Sequence, residues 1–229
     1  LKKQCDDLLP LNEFISEDIS IEKINPRKES VLILAEVSEL IPEKFILSKE
    51  ESSRADRFLK AETKLAFCYQ HHLLREFLSV WMNASAIEIT FNKNPFDKPE
   101  LPDTPFYFNI SRSENYLAFY FGPNECGIDI EKRRLSENFS EISNQHFHPE
   151  EQEFIQSDDD FFSVWTRKEA VLKAIGTGLQ SQLNHINTLP SLVKIGTHDY
   201  QLQSFKTENC IISLSTLEGT AQKLYCISL

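Results

Sequence analysis

Glycine is scarce in this 229-residue sequence, with six positions: Gly122, Gly127, Gly176, Gly178, Gly196 and Gly219. Average usage of about 7% would give roughly sixteen. The one G-x-G, Gly176-Thr177-Gly178, runs on into Leu-Gln-Ser and lacks a third glycine, so nucleotide binding through a G-x-G-x-x-G turn or a P-loop is excluded. Basic residues are also short, 24 Lys and Arg against 35 Asp and Glu, for a net charge of −11. Residues 1–122 hold 15 basic and 20 acidic side chains and residues 123–229 hold 9 and 15. Neither half is a basic platform, which argues against nucleic acid as a partner, because that affinity comes mostly from neutralising phosphates. Cysteines stand at 5, 68, 126, 210 and 226, odd in number and without a C-x-x-C pair. They suggest neither a disulfide framework nor a zinc ribbon, and a reduced, cytoplasmic setting is expected. The longest apolar stretches, such as Val31–Ala35, fall far short of the roughly 20 residues of a membrane span. The opening Leu-Lys-Lys-Gln-Cys-Asp-Asp has no signal-peptide pattern, so no membrane association is expected.

Hydrophobic residues make up 41% of the chain and aromatics 11%, enough to fill a core. Residues 31–37 read as a buried strand and about 49–81 as helix with one interruption. Leu65, Tyr69, Leu73, Phe77 and Val80 form its apolar stripe. Ile87–Phe91 alternates like a half-buried strand. Asn94–Pro105 is a proline-punctuated loop, and the β-rich runs 106–110 and 116–121 flank a hairpin turn at Ser111–Asn115. Beyond Gly122 the order roughly repeats. A strand at 127–130 leads to a helix opening at His148-Pro149, then to a helix over about 160–175 stopping at Gly176, then to strands around 192–204, 209–216 and 221–228. Two halves of similar content follow, 1–122 and 123–229.

In Cys126-Gly127-Ile128-Asp129-Ile130-Glu131 the isoleucines face one side of a strand and the two carboxylates the other. Acids about 7 Å apart along one face suit a hard cation such as magnesium, which keeps positions for water and phosphate; a solvent-facing strand carries the same pattern. In Phe161–Lys173, Trp165, Glu169 and Lys173 recur at i, i+4, i+8 and share a helix face. An ordinary surface ion pair of about 0.3–0.5 kcal/mol explains Glu169 with Lys173. It does not explain the Trp on the same face, nor Lys168 immediately before the acid.

Taken together, Gly127-Ile128-Asp129 and, with Glu169 forty positions after Asp129, Trp165-Thr166-Arg167-Lys168-Glu169-Ala170-Val171-Leu172-Lys173 resemble the signature of the surfactin-type 4′-phosphopantetheinyl transferases, G-[IV]-D followed by W-[ST]-x-K-E-[AS]-x-x-K. Gly176-Thr177-Gly178-Leu179 is similar to the small-residue turn after that helix. Upstream, Arg54, Arg57-Phe58 and Leu73-Leu74-Arg75 are similar to the family's basic helical region. Asp97-Lys98-Pro99 stands where the family has G-K-P, and Phe108–Ser113 where it has F-N-[LI]-S-H-S. Coverage is about residues 48–180. Asp97 replaces a glycine, Arg112 a histidine, and Ala66 an arginine of many relatives.

The resemblance implies an α+β pseudodimer, two similar halves each with a helix packed on a mainly antiparallel sheet, with coenzyme A between them. It implies magnesium-dependent transfer of the phosphopantetheine arm from coenzyme A to a serine of an apo acyl or peptidyl carrier protein, releasing adenosine 3′,5′-bisphosphate, by a monomeric enzyme. Asp129, Glu131 and Glu169 are then the expected metal ligands. Glu169, Lys173 and Asp129 are the catalytic set, and Trp165 helps set the wall and orientation of their helix. Arg54, Lys98, Pro99, Ser111, Arg112 and Lys173 bind the cofactor, with Arg112 on the 3′-phosphate, where a guanidinium grips bidentately. Lys168 is left open between a phosphate and the carrier. The side chain of Asp97 is expected against the adenine end. Two other readings stay open: a catalytically silent relative that binds coenzyme A or carrier, and a metal-dependent phosphohydrolase, since D-x-E plus a distant Glu is also a two-metal pattern.

Overall fold

Ser48 starts the first helix, α1 (Lys49–Ala55), through a reciprocal capping box: its hydroxyl accepts from the Glu51 amide, and the Glu51 carboxylate accepts from the Ser48 amide. The same buried carboxylate takes Arg75 Nε at 2.8 Å and lies 3.1 Å from His71 Nδ1, which ties α1 to α2 (Ala61–Met82). Burial alone would raise the Glu51 pKa. Hydrogen bonds from His71, Arg75 and the Ser48 backbone outweigh it and bring the value down to about 2.

The computed structural model describes residues 8–11, 19–37, 41–135, 139–176, 183–218 and 223–229. Its further elements are β1 (Leu9–Pro10), β2 (Ser30–Glu36), β3 (Asn92–Lys93), β4 (Pro99–Glu100), β5 (Tyr107–Ser113), β6 (Tyr116–Gly122), β7 (Cys126–Lys132), α3 (Phe139–His146), α4 (Pro149–Phe154), α5 (Asp158–Ile175), β8 (Leu192–Ile195), β9 (His198–Lys206), β10 (Cys210–Leu217) and β11 (Leu224–Ser228). One sheet runs β11-β2-β6-β5 and the other β1-β9-β10-β7, with β8 on the side of β9. Pairing is antiparallel except where the outermost segments join: β11 lies parallel to β2, and β1 parallel to β9. Each sheet therefore includes a strand from the opposite end of the chain.

The fold is the expected α+β arrangement. α2 packs Phe77 and Trp81 edge-on against Phe119 and Phe121 of β6. α5 lies on β7 and β10, anchored by Thr166, whose hydroxyl meets Ser213 at 2.8 Å. Between the sheets, Leu32, Ala118 and Tyr120 share one core with Ile128, Ile130, Ile212 and Leu214.

Four local expectations differ from the structure. The buried face of α2 is centred on Phe67, Leu74, Phe77 and Leu78 rather than on the Leu65–Val80 stripe, and Val80 is exposed. The cause is Arg75, drawn inside by Glu51, which rotates the interior face. Ile87–Phe91 is not a strand, because the carbonyls of Ala86 and Ile89 are taken by Arg75 Nη1 at 2.9 Å each instead of by a ladder. The hairpin turn is only Glu114-Asn115, with Glu114 at φ 53°, so Ser111, Arg112 and Ser113 belong to β5. The polar segment before His148 contains α3.

Candidate functional site

β5 is the edge of one sheet and β7 the edge of the other, and the two face each other without a backbone ladder. Side chains fill the seam. Asn109 Oδ1 accepts from the Ile128 amide at 2.8 Å, and Ser113 Oγ accepts from the Lys132 amide at 3.1 Å. Lys98 Nζ donates to the Cys126 carbonyl and Lys173 Nζ to that of Ile128, both at 3.1 Å. The two facing strand edges are satisfied in this way, and a cavity opens at one end of the seam, beside Phe108 and Glu125.

Period-two alternation puts Ile128 and Ile130 in the core and aims Gly127, Asp129 and Glu131 at α5. Gly127 lets the helix come close: a Cβ there would run into the Ala170 carbonyl oxygen and the Ala174 amide nitrogen. That contact places Lys173 against Asp129, with Nζ 2.7 Å from Oδ1 and 2.9 Å from Ser111 Oγ. Ser111 Oγ also donates to Asp129 Oδ1 at 2.8 Å, and Ser113 Oγ to Glu131 Oε2 at 2.7 Å. The other oxygen of Asp129, Oδ2, is buried with no hydrogen-bond partner among the described residues.

Glu169, one turn before Lys173, completes the acidic group. Burial first, then the charge of Asp129, with Glu131 adding less, pushes its carboxyl above the ordinary range against the pull of Lys173. Glu131 is raised for the same leading reason, burial, with Asp129 adding and Ser113 opposing. Each acid makes the next harder to ionise, which is the electrostatic condition a cation relieves. As the side chains stand, no group of three or more His, Cys, Asp or Glu is gathered to hold a metal ion among the described residues; the Lys173 ammonium stands on Asp129 instead. The donors are nonetheless carboxylate oxygens with one buried oxygen unpaired, the chemistry that suits a hard divalent ion.

The cofactor-binding candidates fall into two groups. Lys98 and Pro99 line a cavity of about 350 Å³ with Glu125, Ile175 and Gly176, beyond the Lys173 end of the seam. Arg112 lies on the other face of β5, where its guanidinium carbon is 5.2 Å from the ring centre of Phe58 and 5.5 Å from that of Phe67. Arg54 joins it at 5.4 Å from the Phe67 ring.

Asp97 adopts the left-handed conformation, φ 64°, the backbone state that a glycine takes without cost and that Asp tolerates better than most residues. Its side chain is 91% exposed, 4.0 Å from Lys93, so the expected intrusion toward the nucleotide is corrected: the turn is preserved and the charge faces solvent.

Other residues sit away from the seam. Lys168 is buried, paired with Glu151 at 2.7 Å and donating to the carbonyls of Leu183 and Ile186; it reaches neither a phosphate nor a partner surface. Arg167 ties the carbonyls of Thr188, Leu189 and Pro190. Trp165 packs with Phe147 and Phe161. Beyond Gly176, the 177–179 part of the small-residue turn lies outside the described residues. Asn109 and Ser113, quoted only as motif positions, were given no part in the seam, and Phe58 and Phe67 none under the arginines. Alternation from Ser111 was a signal for 109 and 113; Phe58 stood in the Arg57-Phe58 pair of the resemblance without a role, and nothing in the spacing announced Phe67.

No helix among the described residues is long and apolar enough to cross a membrane. The model of the 4′-phosphopantetheinyl transferase superfamily matches residues 125–219, the stretch that holds β7 and α5. The 4′-phosphopantetheinyl transferase gsp of Aneurinibacillus migulanus is 33% identical over 144 residues, 60% of this chain and 60% of that protein. The 4′-phosphopantetheinyl transferase HetI of Nostoc sp. is 29% identical over 185 residues, 74% and 78% of the two chains. Sfp of Bacillus subtilis strain 168, also a 4′-phosphopantetheinyl transferase, is 29% identical over 145 residues, 60% and 64%. The chain thus spans about 60% of the length of the gsp relative. With the G-I-D strand and the W-T-x-K-E helix packed against each other inside the matched stretch, the chain is similar there to the 4′-phosphopantetheinyl transferase superfamily and, over a longer span, to its surfactin-type members.

Proposed function

We propose that this chain transfers the 4′-phosphopantetheine arm of coenzyme A to a serine of an apo acyl or peptidyl carrier protein and releases adenosine 3′,5′-bisphosphate. The observation that carries the reading is the seam itself, where Asp129, with a buried unpaired oxygen, faces Lys173, Glu169 and Glu131 beside an open cavity.

Asp129, Glu131 and Glu169 would hold magnesium. Once bound, the ion supplies charge neutralisation for a pyrophosphate that an acidic chain would otherwise repel. Glu169 takes the proton of the carrier serine; a carboxyl raised by burial is better matched to that task at neutral pH than an ordinary one. Lys173, now on Asp129, reaches the same space and balances negative charge that gathers on the transferred phosphoryl group. Ser111 fixes the orientation of both partners. Arg112 and Arg54 receive the 3′-phosphate, and Lys98 with Pro99 walls the nucleotide.

The test is incubation with coenzyme A, magnesium and a panel of apo carrier proteins, read by intact mass. Transfer to at least one carrier is expected, and Glu169→Gln should lower the rate at saturating coenzyme A by about 100-fold or more, the usual share of a general base. Binding of coenzyme A with no transfer to any carrier would replace the enzyme by a silent binding module. A Glu169→Gln rate within a few-fold of the parent would remove Glu169 as the base.

A further inference from the structure

The proposed chemistry gives no task to Phe58 and Phe67, yet these rings carry both nucleotide-end arginines. The guanidinium of Arg112 lies over both rings and that of Arg54 over Phe67. The rings lean on each other with centroids 5.2 Å apart, and Phe67 is backed at 4.2 Å by His71, the residue that Glu51 holds. Among the described residues neither arginine is in an ion pair. Arg112 Nη1 is buried without a hydrogen-bond partner.

Two ways exist to hold a half-buried guanidinium in place. A carboxylate would fix it through its N–H donors and cancel its charge. An aromatic face stabilises the cation through the ring quadrupole and leaves the in-plane donors unused. This chain does the second, twice on one ring. The result is a pair of like charges, Arg54 exposed and Arg112 half-buried, with Arg112 pressed down from its ordinary pKa by burial first and Arg54 second; Glu50 feels the charge of Arg54 without pairing with it, and no acid stands on Arg112. Such a pair is satisfied by an anion that brings more than one negative charge and several acceptor oxygens, as a phosphate monoester does.

We propose that Phe58 and Phe67 are positioning residues that hold Arg54 and Arg112 on their ring faces without an ion pair, and thereby set the preference of this chain for a nucleotide bearing a 3′-phosphate over one without. The proposal rests on the function argued above and assigns the specificity of its nucleotide end to two apolar side chains. Calorimetric titration of the full chain with adenosine 3′,5′-bisphosphate and, separately, adenosine 5′-monophosphate tests it directly. The parent protein should favour the bisphosphate. Phe58→Leu and Phe67→Leu keep apolar bulk and remove the ring face. Phe58→Leu should weaken bisphosphate binding about fivefold, the worth of one cation–π contact, and Phe67→Leu, which removes two, by more than that, with monophosphate binding unchanged within twofold in both. Phe67→Tyr, which restores a ring face, should recover the preference. Phe58 is only half-buried, so its variant carries the test if Phe67→Leu does not fold. A parent that prefers the bisphosphate while both leucine variants retain the full preference would overturn the platform and leave the functional reading standing. A parent that binds neither nucleotide would overturn both.

Discussion

Glu169 occupies a position that serves the cleft at the expense of the folded chain. Its carboxyl is raised by burial and by Asp129, so the folded state binds that proton more tightly than the unfolded chain does. A raised carboxyl contributes stability below the ordinary carboxyl range and loses it as pH rises through the raised folded value. At neutral pH the ionised group therefore works against folding, and a neutral isostere should relieve it. In buffer free of divalent cations, Glu169→Gln is expected to raise the melting temperature at pH 7.5 by roughly 2–4 °C, the shift that about 1 kcal/mol produces in a chain of this size. The gain should shrink toward pH 4, where the parent carboxyl is protonated. Scanning calorimetry at the two pH values checks it; a variant less stable than the parent at pH 7.5 would mean that Glu169 makes a stabilising contact. The sequence motif placed this residue but could not show its burial, just as it could not show that Asp97 turns its charge outward while its backbone does what a glycine would.

At the scale of elements, the meeting of β7 with α5 sets the distance between the carboxylates and Lys173. The strand's alternation and the stop of α5 at Gly176, φ 73°, were readable because both depend on local chemistry alone; the start, capped by Ser157, lies earlier than the position near 160 that the sequence suggested. Non-local contacts decided what was misread. Arg75 is pulled into the interior by Glu51, 24 residues away, and takes the carbonyls that would have made Ile87–Phe91 a strand. The β5 strand runs on through Arg112 because its partners on β6 and its side-chain links to β7 extend that far. Gly127 is the point where close approach has no slack, since the atoms facing it are backbone. Gly127→Ala should force α5 off β7 and cost roughly 3 kcal/mol or more, at the upper end for overpacking. The same displacement should carry Lys173 away from Asp129, so that the fraction still folded loses transfer activity out of proportion to its population. Chemical denaturation paired with transfer rates per folded molecule separates the two effects; full activity in the folded fraction would show that the close packing does not position Lys173.

For the whole molecule, the repeat of elements along the chain suggests two halves, but the topology binds them together. β11 from the far end completes the sheet of β2, β6 and β5, while β1 from the near end joins that of β9, β10 and β7. The core between the sheets draws on both, with Leu32 and Tyr120 beside Ile128 and Leu214, and Cys226 of β11 in the same cluster. Neither sheet keeps its full edge or its full interior if the other unfolds, so the free energy of opening one half includes most of the other. A single cooperative transition is the consequence. The two tryptophans report on it separately: Trp81 packs on Phe106 and Phe121 under the first sheet, and Trp165 among Phe147 and Phe161 beside the second. In Trp81→Phe and Trp165→Phe variants, each retaining one reporter, urea unfolding followed by fluorescence should coincide with unfolding followed by far-ultraviolet circular dichroism. Each variant shifts its own midpoint, which is why the comparison is made between signals within a variant. A fluorescence midpoint separated from the dichroism midpoint in either one would show that the halves open independently, and the exchanged strands would then be attachments to two folding units, not part of a single one.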